Sequence, residues 1–153
     1  MLRARLTEAL KTAMKARDGR SVSAVRLILA RLKERDIEVR PKGNASGIAD
    51  EDIVAMMQGM IKQRREAIEL YERGGRPELA AKEQGEIDVI ESFMPHQLSD
   101  GETAVAVAAV IGELGAASIK DMGKVMAALK ARFAGTMDFS KVSGMVKANL
   151  AGS

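Results

Sequence analysis

With 153 residues, 46% of them hydrophobic and 29% charged, the chain has ordinary globular usage and is long enough for one compact domain or two small ones. The absence of Cys excludes a disulfide, a thiolate zinc site and a cysteine nucleophile. No signal-peptide core and no run of about 18 apolar residues is visible, so the expectation is a cytoplasmic protein that does not enter a membrane. Net charge is +3 but unevenly spread: residues 1–42 carry +7, residues 43–114 carry −8 and residues 115–153 carry +4. Two basic ends can flank one polyanion, as in nucleic-acid binding, or an acidic middle can neutralise a basic arm within the fold.

Few aromatic residues, no Trp and 10 Met favour packed helices over sheets. Leu2, Leu6, Leu10, Ala13 and Met14 trace a first helical stripe that Arg3, Lys11 and Lys15 avoid, with Asp18-Gly19 as its end. A second helix is expected from Ser21, read as its N-cap, through Val25, Ile28, Leu29 and Leu32 to about Glu38. Its polar side carries Arg26, Arg31, Lys33 and Arg35. Arg40 to Gly47, RPKGNASG, reads as a loop. Asp50, Glu51 and Asp52 open a third helix, which continues through Ile53, Met56, Met57, Met60, Ile61, Ile68 and Leu70 to Arg73. Gly74-Gly75 stops it. Within it, i, i+4 spacing predicts the pairs Lys62–Glu66 and Arg65–Glu69. Pro77 suits the first position of a fourth helix reaching about Ser92, with Glu83, Glu86, Asp88 and Glu91 as a solvated face.

Phe93-Met94-Pro95 breaks the pattern and places a domain boundary near Pro95–Leu98, giving domains 1–95 and 96–153. Ser99 and Glu102 form a capping box for a fifth helix that is expected to bury Val107, Ala108 and Ile111 and to end at Gly115. Ser118 and Asp121 form a second box, opening a helix to Phe133 whose stripe is Met122, Val125, Met126, Leu129 and Phe133. Lys120 and Lys124 point away from that stripe, with Gly123 between them. Gly123 marks either close approach of another backbone, from a neighbouring helix or a ligand phosphate, or simple tolerance near a helix start. Asp138 caps a last helix with Val142, Met145, Val146 and Leu150 inward. The expected fold is all-α and multihelical, four helices in the N-terminal domain and three in the C-terminal one.

Catalytic apparatus is not evident. His96 is the only His and stands beside Pro95, without the Cys or clustered carboxylates that a zinc or nucleophile–base site requires. No phosphate-cradling glycine motif occurs. No catalytic residue, metal ligand or cofactor is assigned, and the residues point to a binding module.

The runs KTAMKARD (Lys11 to Asp18), VRLI (Val25 to Ile28) and KQRRE (Lys62 to Glu66) occur here in the order found in the GatB/YqeY family, followed by GGRPELAAKE and EIDVIESFMPHQLS between Gly74 and Ser99. The most specific run is GAASIKDMGKVM from Gly115 to Met126, followed by Gly135, Asp138, Val142 and Val146. Over nearly its whole length the chain resembles a stand-alone YqeY-like protein. It departs from the family at Phe139-Ser140, where Gly often follows the Asp. The resemblance implies a C-terminal domain similar to the tail of the B subunit of glutamine-dependent tRNA amidotransferases, a class of carbon–nitrogen ligases. It implies tRNA as a partner, met by Lys120, Gly123, Lys124, Lys130 and Lys147, or amidotransferase subunits as protein partners. The catalytic portions of that enzyme class have no counterpart in this chain.

Overall fold

The computed structural model describes residues 1–152 and is all-helical, with seven α-helices and no strand among the described residues. The chain divides into two compact units, Met1–Met94 and a second from Pro95 onward.

The first unit contains α1 (Leu2–Lys15), α2 (Gly19–Val39), α3 (Asp50–Arg73) and α4 (Pro77–Glu91). α1 packs along α2, α3 along α4, and α2 also against α4. Their apolar stripes meet in a core built from Leu6, Ile28, Ile53, Met57, Ile87 and Ile90, all fully buried. Burying such side chains contributes about 1.5–3 kcal/mol each. The stripe of α1 is narrower than its sequence suggests, because Met14 is exposed, and so is Leu70 near the end of α3.

Two junctions differ from the expected ones. α1 stops at Lys15, Arg17 turns the chain with φ +56°, and Asp18 belongs to α2 as its N-cap. Its carboxylate accepts from the Ser21 N–H at 3.2 Å and the Ser21 hydroxyl at 2.6 Å. Asp18 thereby takes the capping role expected of Ser21, because an ionised carboxylate can accept from both donors and also suits the helix dipole. The second junction is the loop after α2, which starts as a 3₁₀ turn, Arg40–Lys42, and closes against α1. Asp36 accepts from the Arg3 guanidinium and from the Ile48 N–H at 2.9 Å, while Arg3 also donates to the Ile48 carbonyl at 2.8 Å.

Neither the Lys62–Glu66 nor the Arg65–Glu69 pair forms; α3 instead pairs with α4. Arg64 Nε lies 2.9 Å from Glu86 Oε2, with the two side chains only 14% and 13% exposed, and Arg65 meets Glu91 at 3.3 Å. Glu86 is thus an interhelical group and does not belong to a solvated face. Arg64 has Met60 and Ile68 at its i−4 and i+4 positions, so as it is desolvated on the inner side of α3 its acidic partner has to come from α4.

The second unit contains α5 (Asp100–Leu114), α6 (Met122–Arg132) and α7 (Phe139–Ala151). Ser99 and Glu102 form the expected reciprocal box, with both hydrogen bonds at 3.1 Å. Gly115, at φ +62°, ends α5 in the left-handed conformation. Val107, Val110, Val125, Leu129, Met137, Val142, Val146 and Leu150 form the core, with Phe139 packed at its edge. Ala108 is exposed and Val110 is buried in its stead. Across Ala104–Val110, where every residue is Ala or Val, no polar side sets the phase of the buried stripe. No single helix among the described residues is long and apolar enough to cross a membrane.

Candidate functional site

The segment from Ser118 to Arg132 carries most of the lysines in question, and its local structure explains how they are presented. Asp121 accepts from the Ala117 N–H at 3.0 Å and the Ser118 N–H at 3.4 Å. Those two donors hold its carboxyl below the usual carboxylate range, with a smaller contribution from the Lys124 charge. This anchor fixes a 3₁₀ turn, Ile119–Asp121, ahead of α6, so the expected single helix from Ser118 to Phe133 begins as a tighter turn.

Val125 and Leu129 bury one side of α6, while Gly123, Lys124, Ala127, Lys130 and Ala131 are exposed. Lys124 and Lys130 are six positions apart, roughly 120° around the helix, so they flank its outer surface rather than stacking on one line. Gly123, Ala127 and Ala131, four residues apart in turn, lie between them. Lys120 stands on the preceding turn, which packs against α7 as α6 does. Lys147 is exposed on α7. Lys120, Gly123, Lys124 and Lys130 therefore share one turn-and-helix segment, and Lys147 belongs to its neighbour.

None of these four lysines makes an ion pair within 4 Å among the described residues. Arg132, by contrast, is tied to Glu113. Lys141, also exposed and unpaired among the described residues, adds a cation on α7 that sequence reasoning passed over; its signal is the place in the first turn, off the Val142–Val146 stripe. A Cβ at Gly123 would find no atom within 4 Å, apart from its chain neighbours and the backbone of its own helix. Close approach of a neighbouring helix therefore does not explain this glycine.

His96 is exposed, with Nε2 3.5 Å from Glu102 Oε2 at the α5 capping box. The Ser99 N–H is the main cause of the lowered Glu102 pKa, and His96 adds to it. Among the described residues, no group of three His, Cys, Asp or Glu is placed to hold a metal ion.

An all-helical chain with a four-helix unit, a three-helix unit and a lysine-bearing outer face defines a class of small helical proteins. The chain belongs to the Yqey-like protein family, whose model matches residues 3–150. It is 36% identical over 86 residues to Altered inheritance of mitochondria protein 41, mitochondrial, of Saccharomyces cerevisiae, covering 56% of this chain and 44% of that protein. The protein of the same name from Eremothecium gossypii is 35% identical over 91 residues, covering 60% and 48%. A Schizosaccharomyces pombe protein is 28% identical over 99 residues, covering 65% and 76%. The chain thus spans about half the length of the first two relatives. The expectation of a cytoplasmic protein is corrected by these relatives, which are named as mitochondrial proteins. Lack of Cys and of an apolar run describes folding chemistry and does not separate the cytosol from the interior of an organelle.

Proposed function

We propose that this Yqey-like protein is a tRNA-binding module that holds RNA phosphates against the outer face of α6 and carries no amidation chemistry of its own. The observation that supports it is the set Lys120, Lys124, Lys130 and Lys147, all exposed and free of ion pairs among the described residues. Unpaired lysines release counterions from RNA without first breaking an internal bond. The small residues Gly123, Ala127 and Ala131 between Lys124 and Lys130 leave room for a phosphate backbone to come close to the helix. The likeness of the Gly115–Met126 run to the tail of tRNA amidotransferase B subunits favours tRNA among polyanions.

The test is a titration of labelled tRNA at low salt with the full chain. Lys120→Glu combined with Lys124→Glu is expected to weaken binding by about tenfold or more, as two phosphate contacts are lost and two repulsions introduced. Helical content by circular dichroism should not change, since both side chains are exposed. Unchanged affinity in the double variant, or no binding by the parent chain, overturns the reading.

A further inference from the structure

α2 carries two kinds of cation. Arg31 and Arg35 are each paired with an acid three residues on, Arg31 with Glu34 at 2.9 Å and Arg35 with Glu38 at 3.6 Å. Arg26, Lys33 and Arg40 are exposed and make no ion pair within 4 Å among the described residues. They are spaced seven residues apart. Each step of seven rises about 10.5 Å and falls about 20° short of two full turns. The three charges therefore follow one nearly straight line along a flank of α2 and its continuation into the 3₁₀ turn.

That line borders a trough of about 360 Å³ between α1 and α2, lined by Arg3 and Thr7 on one side and by Leu29, Lys33, Ile37 and Arg40 on the other. Ile37 is 51% exposed, a large apolar side chain facing water beside unpaired cations. Asp36, the one carboxylate lining the trough, is occupied by Arg3 and the Ile48 N–H, which leaves Lys33 and Arg40 to offer net positive charge. The same clamp ties α1 to the end of α2, so this end of the trough is formed before any partner arrives.

We propose that the α1–α2 trough is a docking groove for an acidic amphipathic helix of a partner protein. The carboxylates of that helix, at every seventh position, meet Arg26, Lys33 and Arg40, and its apolar side covers Leu29 and Ile37. Seven-residue periodicity is the repeat with which one helix follows another. A nucleic-acid backbone gains nothing from Leu29 and Ile37, and the trough has no aromatic ring on which a base could stack. This trough belongs to the first unit and the α6 lysines to the second, and different variants test the two readings.

The experiment is a fluorescence-anisotropy titration of the full chain with a dye-labelled helical peptide of about 20 residues, with Glu at every seventh position and Leu three and four places after each. Saturable binding is expected. A peptide of the same composition in scrambled order, and the Lys33→Glu and Ile37→Asp variants, should each bind about tenfold more weakly or worse. Lys124→Glu should bind as the parent does. Absence of saturable binding, equal affinity for the scrambled peptide, or indifference to Lys33→Glu overturns the proposal. Displacement of the peptide by tRNA from the Lys120→Glu, Lys124→Glu double variant would identify an RNA surface and likewise overturn it.

Discussion

Gly47 and Gly123 show how differently two glycines are constrained. Gly47 has φ +90°, and a Cβ there would fall on the Asp36 carboxylate and the Arg3 guanidinium. Gly47→Ala should therefore destabilise the first unit by about 2 kcal/mol, through backbone strain and a displaced clamp. Urea unfolding followed by tyrosine fluorescence reads this selectively, because Tyr71 is the only Tyr in a chain without Trp and lies in α3. Gly123 is helical with open space around it, so Gly123→Ala should stabilise the second unit by about 0.5–1 kcal/mol. Phosphate approach at this position predicts that the same variant binds tRNA more weakly although it is more stable; equal or tighter binding assigns the glycine to simple tolerance. Asp36 gives the pH prediction. The Arg3 guanidinium first, and the Ile48 N–H, hold its carboxyl below the usual range against the opposing effect of burial. A carboxylate with a depressed folded pKa contributes stability in full above its unfolded value of about 4, and loses it as pH falls through the lower folded value. The tyrosine-detected urea midpoint should fall more steeply between about pH 5 and about pH 3 in the parent than in Asp36→Asn. Equal slopes would remove Asp36 as the cause.

Among the helices, what could be read from sequence was what local chemistry decides. Pro77, Gly74-Gly75, the Ser99 box and Asp138 set helix ends through their own backbones and side chains, and they stand where the residue types indicate. Partner choice across helices was not legible. KQRRE and the following Glu69 offer two i, i+4 pairs, and only the packing of α3 on α4 reveals that Arg64 turns inward to Glu86. Lys120 and Lys124 were legible as exposed, because they point away from the stripe of Val125 and Leu129, but their freedom from ion pairs depends on where acids such as Asp121 point. The Arg64–Glu86 pair yields the prediction at this scale. Arg64→Ala should cost about 3 kcal/mol, since it strands Glu86 in a site with little water, whereas Arg64→Met with Glu86→Leu should recover most of that loss. Tyr71 sits on the same helix and reports both. A single variant as stable as the parent would mean that Glu86 reaches solvent when freed.

For the chain as a whole, charge separates into a basic first stretch, an acidic middle and a basic last stretch, and the salt dependence of RNA binding tells which stretch engages the polyanion. Each phosphate neutralised in duplex-like RNA contributes about −0.9 to the slope of log affinity against log salt, so contacts from four lysines correspond to a slope near −3.6. A slope of that size, reduced by about 1 in the Lys124→Glu variant, is expected for binding centred on the C-terminal unit. The +7 carried by residues 1–42 would steepen the slope well beyond this value if those helices also met phosphates. Lys33→Glu separates the cases: with the α1–α2 trough reserved for an acidic helix, this substitution leaves the slope unchanged. Reversal of a charge that does not meet RNA still shifts the general attraction between protein and RNA, but that effect is screened beyond about 10 Å at 0.1 M salt. Measuring the slope from about 0.1 M upward therefore isolates direct contacts, and a decrease of about 1 for Lys33→Glu in that range would place RNA on the first unit as well.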